Sequence, residues 1–282
     1  MLNQKVLVSG ADFFSFDAPI NPYYDNNPVN VDKAKSEHVE ILENFQKAGI
    51  EIIQIPPPST SQDGVYTANW ALVRNGKAVL ARLPNARKTE EDYAEKALFD
   101  LGLEVIHVPE NWRFSGQGDA LPCGEFLLAG SGYRSDEKAQ EFVAKTLGFE
   151  LVQLRTIPEL DKNGQPVINS ASGWADSFFY DVDLAISVLR DDLIAYCPDA
   201  FDEKSHIKIA ELPMKKIIVS YEEATKGFAC NLVSTGETVI MSEYAPELKS
   251  EIEKHGLKVL TVKAPELARG GGYIRCVSLA LN

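Results

Sequence analysis

Asp100-Leu101-Gly102-Leu103-Glu104-Val105-Ile106-His107-Val108 joins the end of one element to the start of another. The residues before it, from Thr89, carry apolar side chains at helical spacing. Gly102 is the residue type that closes a helix in the left-handed conformation, and the residues after it alternate as in a half-buried strand. The same phrase recurs as Lys47-Ala48-Gly49-Ile50-Glu51-Ile52-Ile53-Gln54-Ile55 after a helix from Val31, and as Thr146-Leu147-Gly148-Phe149-Glu150-Leu151-Val152-Gln153-Leu154 after a helix from Ser135. It returns as Lys254-His255-Gly256-Leu257-Lys258-Val259-Leu260-Thr261-Val262 after a helix from Ala245. Gly49, Gly102, Gly148 and Gly256 lie 53, 46 and 108 residues apart, so the last gap spans two periods.

Hairpin-like pairs precede these helices. Residues 70–73 pair with 78–81 across Asn75-Gly76, and 231–234 with 238–241 across Gly236. Residues 184–189 with 193–196, a helix near 202–210 and a strand at 215–220 fill the missing slot. The unit is ββαβ, repeated about five times. A period near 50 residues predicts a closed repeat architecture, with one domain over residues 1–282 and strand ends gathered at a central cavity. Residues 56–62, 161–172 and 263–272 are the loops expected to cover it.

Composition bounds the function. The 282 residues are 45% hydrophobic and carry a net charge of −13, which argues against nucleic-acid binding and favours a small cationic ligand. The cysteines Cys123, Cys197, Cys230 and Cys276 are widely spaced, so neither a zinc site nor a disulfide framework is expected. No apolar run reaches the ~18–20 residues of a membrane span, and Met1 runs into a strand without a signal-like stretch. The chain is expected to be soluble and cytoplasmic, without a cofactor; a homodimer is compatible with this reading.

One segment carries candidate chemistry: Gly270-Gly271-Gly272-Tyr273-Ile274-Arg275-Cys276. Three glycines let a backbone pass close to a ligand, and a thiol beyond them beside an arginine suits a nucleophile. A buried, inert cysteine in a C-terminal strand is the other reading of the same residues.

Six segments, in order, resemble the pentein superfamily of guanidino-group-modifying enzymes, which includes dimethylarginine dimethylaminohydrolases, arginine deiminases and amidinotransferases. They are Ile20-Asn21-Pro22-Tyr23, Asp63-Gly64-Val65-Tyr66-Thr67-Ala68-Asn69, Arg87-Lys88-Thr89-Glu90, Gly116-Gln117-Gly118-Asp119-Ala120-Leu121, Gly132-Tyr133-Arg134-Ser135-Asp136 and the closing glycine–cysteine loop. The resemblance covers nearly the whole chain. It implies a five-bladed α/β propeller and hydrolysis of a guanidinium C–N bond through a covalent cysteine intermediate. By the same resemblance Cys276 is the nucleophile. Asp63 and Asp119 are the guanidinium-side carboxylates, with Asp119 and Asp181 the catalytic candidates beside Cys276; Arg87 and Arg134 clamp an α-carboxylate, and Asn69, Asp183 and Gly271 line the substrate. A guanidinium is a planar cation that pairs with carboxylates, and its poorly electrophilic carbon needs ionic binding and a general acid.

The sequence departs from the pattern at its proton donor. The superfamily's His-x-Asp segment here reads Asp181-Val182-Asp183, which puts Asp181 in the histidine's place, and Ser115 replaces a glutamate. His38, His107, His206 and His255 all fall in structural positions. An aspartate near its ordinary pKa is a poor acid at neutral pH, unless neighbouring Asp119 and Asp183 make one of the three hold a proton. Two other functions follow from the departure: a guanidino-ligand binder without turnover, or an amidinotransferase.

Overall fold

The computed structural model describes residues 2–24 and 27–281; Met1, the first residue of the expected N-terminal strand, lies outside them. Among the described residues the order is β1 (Lys5–Val8), α1 (Val31–Lys47), β2 (Glu51–Gln54), β3 (Ala71–Arg74), β4 (Lys77–Leu80), α2 (Thr89–Asp100), β5 (Glu104–His107), β6 (Ala120–Cys123) and β7 (Phe126–Gly130). Then come α3 (Glu137–Leu147), β8 (Glu150–Leu154), β9 (Ile186–Arg190), β10 (Leu193–Tyr196), α4 (Glu203–Glu211), β11 (Lys215–Ile218), α5 (Tyr221–Lys226), β12 (Val233–Ser234), β13 (Thr238–Ser242), α6 (Pro246–Lys254), β14 (Lys258–Val262), α7 (Pro265–Ala268) and β15 (Leu279–Ala280).

The strands form five three-stranded sheets of one design. A first strand runs antiparallel to a middle strand, and the middle strand pairs in parallel with an outer strand reached through a helix. Sheets β3-β4-β5, β6-β7-β8, β9-β10-β11 and β12-β13-β14 are each continuous in sequence. The fifth is assembled from both ends of the chain: β15 pairs antiparallel with β1 through Val6↔Ala280 and Leu7↔Leu279, and β1 pairs in parallel with β2. First strands of neighbouring sheets touch, β15 with β3, β6 with β9, and β9 with β12. The result is the five-bladed α/β propeller.

The repeating glycine has the role read from the sequence. Gly49, Gly102, Gly148 and Gly256 have φ of 80°, 80°, 73° and 80°, the left-handed region in which a helix turns into the following strand. The fourth repeat lacks the glycine because Pro213 ends α4 instead: Leu212 is already extended at φ −60°, ψ 144°. That substitution accounts for the double gap. Two short helices lie outside the repeat, α5, whose start the acidic pair Glu222-Glu223 marks in the sequence, and α7. Of the acidic pair at the start of α5, Glu222 is solvated and Glu223 is not. Glu223 is buried and accepts the backbone N–H groups of Glu247 and Leu248, 2.7 and 3.0 Å away, capping α6.

His38 on α1 is 3% exposed, and its Nε2 has no partner. Burial lowers its pKa from 6.5 to about 4. A histidine that must stay neutral in the fold binds fewer protons than in the unfolded chain, so its contribution to stability is lost as pH falls from 6.5 towards 4, by roughly 3 kcal/mol in all. A His38→Leu variant should therefore lose less melting temperature than the wild type between pH 7 and pH 5. Parallel melting curves for the two would show that this histidine does not set the acid limb.

Candidate active site

Each blade opens with an irregular turn into its first strand, and these five turns converge. Asn69 sits in the helical turn Thr67–Trp70 before β3, and Asp119 closes the turn Gly116–Gly118 before β6. Asp181 and Asp183 flank the start of the turn Val182–Leu184 before β9. Asn231 precedes β12, and Cys276 lies in the turn that enters β15. All six are buried.

Cys276 Sγ is 3.6 Å from Asp183 Oδ2 and accepts a hydrogen bond from Asn231 Nδ2 at 3.2 Å. Burial, followed by the charge of Asp183, pushes the thiol well above its ordinary pKa. Arg275, the neighbour expected to activate it, instead points away. Its NH2 donates to Gln117 Oε1 at 2.8 Å and its NH1 to the Ser278 carbonyl at 2.9 Å. Arg275 and Asp183 line a cavity of about 70 Å3 with Gln117, Ser187 and Cys230; Cys276 is not among its walls.

The three carboxylates expected to interact do so. Burial, with Asp181 as the next contributor, raises both Asp119 and Asp183 well above the usual carboxylate range. Asp119 Oδ1 accepts the Val182 N–H at 3.0 Å. Asp181 Oδ2 accepts from Asn69 Nδ2 at 2.7 Å and lies 4.0 Å from Arg134 NH1. Oδ1 of Asp181 and of Asp183 is buried without a partner, the condition of acceptors shaped for a donor-rich cation. Gly118 is small by necessity: a Cβ there would lie 2.5 Å from Asn69 Nδ2 and 2.6 Å from Asp181 Oδ2.

The two arginines differ. Arg134 stacks on the Tyr180 ring at 3.9 Å and donates to the Ile20 carbonyl. Arg87, read from the sequence as part of a carboxylate clamp, is 1% exposed and held by protein. Its Nε and NH2 donate to the two oxygens of Glu90 at 2.9 and 2.8 Å, and its NH1 to Asn69 Oδ1 at 2.8 Å. The structure thus corrects its neighbourhood: Arg87 aims Asn69, and Asn69 in turn faces Asp181. The Arg-x-x-Glu spacing put the two charges one helical turn apart, which is why the pair forms.

A cover closes the chamber. Tyr23 OH donates to the Phe178 carbonyl, Tyr24 OH to Asp63 Oδ1 at 2.5 Å, and Tyr180 OH to the Gly271 carbonyl at 2.8 Å. Asp63 is therefore occupied by a tyrosine. Burial raises its carboxyl, with Arg87 opposing. Gly271 has φ +86°, and a Cβ on it would meet Asn21 at 2.6 Å, so the glycine loop packs directly under the Asn21 turn. Residues 263–272 contribute to this cover as expected. Residues 20–24 do too, which the sequence reading assigned only to a motif. Residues 161–172 reach it at the edge, where Asn169 Nδ2 donates to the Pro19 carbonyl.

The residue that sequence reading missed is Asn231, counted there as the first residue of a strand. The signal was present in the repeat: the positions just before each first strand hold Asn69, Asp119, Asp183 and Cys276, and Asn231 occupies the matching place before β12. Among the described residues there is no cluster of three or more His, Cys, Asp or Glu that could hold a metal ion, and no helix is long and apolar enough to cross a membrane.

Known proteins share this architecture. A dimethylarginine dimethylaminohydrolase of Mycobacterium tuberculosis is 30% identical over 275 residues, covering 96% of this chain and 83% of its own. The bifunctional arginine dihydrolase/ornithine cyclodeaminase ArgZ of Synechocystis is 29% identical over 99% of this chain, which spans 38% of ArgZ. The solved N-terminal domain of ArgZ bound to product superposes with a TM-score of 0.87 at 29% identity, covering 99% of this chain and 97% of that domain. A dimethylarginine dimethylaminohydrolase structure at 17% identity and TM-score 0.73 shares the fold. The family model for N,N dimethylarginine dimethylhydrolase, eukaryotic, matches residues 16–281. With that match over almost its whole length, the chain belongs to the dimethylarginine dimethylaminohydrolase family.

Proposed function

We propose that this protein hydrolyses a guanidinium C–N bond of arginine or an N-substituted arginine through a covalent intermediate on Cys276. The observation that carries the proposal is a buried thiol 3.6 Å from the Asp183 carboxyl, in a chamber where Asp183 and Asp181 each leave one acceptor oxygen open. The names of the relatives, an arginine dihydrolase and a dimethylarginine dimethylaminohydrolase, support the same substrate class. Within this reading the substrate is a small cation, no cofactor takes part, and the enzyme works in the cytoplasm as one domain. Only the dihydrolase part of the bifunctional relatives is carried over.

The chemistry follows from the placement. A guanidinium entering between Asp119, Asp181 and Asp183 brings the positive charge that three crowded carboxylates lack. Cys276 Sγ attacks the guanidinium carbon, and its proton passes to Asp183. A carboxyl proton from the same cluster moves to the departing nitrogen, the C–N bond breaks, and ammonia or an amine leaves. Water then adds to the thiouronium carbon, the C–S bond breaks, and a ureido product leaves as the thiol regains a proton. Arg134 offers the nearest cation for a substrate carboxylate.

A second reading is favoured by one observation, the aspartate in the histidine's place: a guanidino binder with impaired chemistry. Asn69 Nδ2 at 2.7 Å and Arg134 at 4.0 Å face Asp181, a setting built for the oxygens of an aspartate side chain rather than for an imidazole. We therefore expect Asp181→His to lower turnover, by about 10² or more if Asp181 takes part in proton transfer. The measurement is ureido product from arginine and dimethylarginine, with intact-mass detection of an adduct on Cys276. An adduct on Cys276 without ureido product, and an amidino product only when an acceptor amine is added, would favour the amidinotransferase. Thermal stabilisation by both ligands without product, together with a gain on Asp181→His, would replace the hydrolase by the binder.

A further inference from the structure

We infer that Asn231 is the positioning residue of Cys276: its carboxamide oxygen fixes the loop that carries the thiol, and its Nδ2–H group is the donor that receives the sulfur's negative charge. The inference rests on the reading of Cys276 as nucleophile given above.

Asn231 is fully buried between α5 and β12. Its Oδ1 accepts three backbone N–H groups from the glycine–cysteine loop, those of Tyr273 at 3.1 Å, Arg275 at 3.1 Å and Cys276 at 3.3 Å. Three N–H groups can only be met by an oxygen, so the orientation of the carboxamide is fixed by chemistry. Nδ2 must then face the other way, and there it meets Cys276 Sγ at 3.2 Å. One side chain thus sets both where the sulfur is and what it is bonded to.

The other charged and titratable groups around the sulfur do not supply a donor of this kind. Asp181 and Asp183 disfavour a thiolate when ionised, and a protonated Asp183 stands farther from the sulfur, at 3.6 Å, than Asn231 Nδ2 at 3.2 Å. Tyr23, Tyr66 and Tyr180 give their hydroxyl protons to the carbonyls of Phe178, Leu267 and Gly271. Arg275 donates to Gln117 and Ser278. Once the thiol proton has moved to Asp183, the Nδ2–H group of Asn231 is the side-chain donor already in place for the anion, beside the Tyr273 backbone N–H, and hydrogen bonds to charged groups are among the stronger ones.

A cap that only holds the loop predicts a different result from a cap that also bonds the sulfur, and Asn231→Asp separates them. An aspartate keeps an oxygen for the three N–H groups and replaces the donor by a second acceptor. The experiment is the pH profile of iodoacetamide alkylation at Cys276, read by peptide mapping on wild type, Asn231→Asp and Asn231→Ser, with melting temperature and arginine turnover measured alongside. Asn231→Asp should melt somewhat below the wild type, since its carboxyl joins Asp183 in a buried site, and its alkylation midpoint should rise by about one pH unit or more; Asn231→Ser, which adds no charge, shows whether the rise comes from the lost donor. Its kcat should fall about 10–100-fold with little change in KM. Asn231→Ser, which keeps the loop less well, should show the same displaced profile at a lower melting temperature. Profiles in both variants that overlay the wild type would overturn the inference and leave Asn231 a loop cap. Should wild type turn over no guanidino compound, the alkylation profiles still decide the role of Asn231, so the two readings fail separately.

Discussion

Cys276→Ser is expected to lower arginine turnover by about 10³-fold or more while the protein melts within a few degrees of the wild type. The swap is nearly isosteric, and the site is 2% exposed, so packing changes little. Chemistry changes greatly. A serine hydroxyl holds its proton far more tightly than a thiol, and the group facing it is an aspartate whose own basicity serves a thiol but not an alcohol. Nucleophile removal in enzymes that form covalent intermediates commonly costs factors of this size. Ligand binding should survive, because the carboxylates that meet the guanidinium are untouched; arginine should still raise the melting temperature. The adduct detected by intact mass in the wild type should vanish. A serine variant keeping a tenth of wild-type turnover would take the nucleophile role from Cys276.

Glu90→Ala is expected to have the largest effect on stability. Glu90 is 0% exposed; besides both bonds from Arg87 it accepts Trp70 Nε1 at 2.8 Å and the Ser61 hydroxyl. Removing it strands a fully buried guanidinium and an indole N–H. Loss of one partner of a buried ion pair costs about 3–5 kcal/mol, enough to lower the melting temperature by roughly 10 °C. Activity should fall further than stability explains, since Arg87 would no longer hold Asn69 towards Asp181. The double variant Arg87→Met, Glu90→Met distinguishes the two effects: it removes both charges together, and should recover much of the melting temperature but little of the turnover. A Glu90→Ala protein melting like the wild type would mean that the pair is not closed in solution.

Much of this was legible because the repeats are local. A helix, a left-handed glycine and an alternating strand all lie within a few residues, so four of five units could be read directly and the fifth by its empty slot. Pro213 hid that slot by ending α4 through a different stop. The short helices α5 and α7, of six and four residues, leave no period to read. Site residues carried by a motif were named, and the structure brings Asn69, Asp119, Asp181, Asp183 and Cys276 to one chamber. Partners were harder. Whether Arg87 meets Glu90 or a ligand, and whether Arg275 faces the thiol or Gln117, depends on side-chain direction, which spacing does not encode. Asn231 was hidden by a boundary two residues out of place: as a strand residue it is one polar position among many, and as a turn residue it belongs to the set that lines the axis.

The blade in which β15 pairs with β1 ties the seat of the thiol to closure of the ring. Residues 279–280 shut the ring against β1, Gln117 holds Ala280 by both its N–H and its carbonyl, and the thiol lies three residues before the closing strand. The thiol is therefore seated by the same contacts that complete the circle. Four finished blades contain every acid of the chamber and not the Cys276 sulfur. Two inactive pieces divided between blades would regain turnover together only by closing the ring in trans, which makes enzymatic activity a direct reporter of assembly.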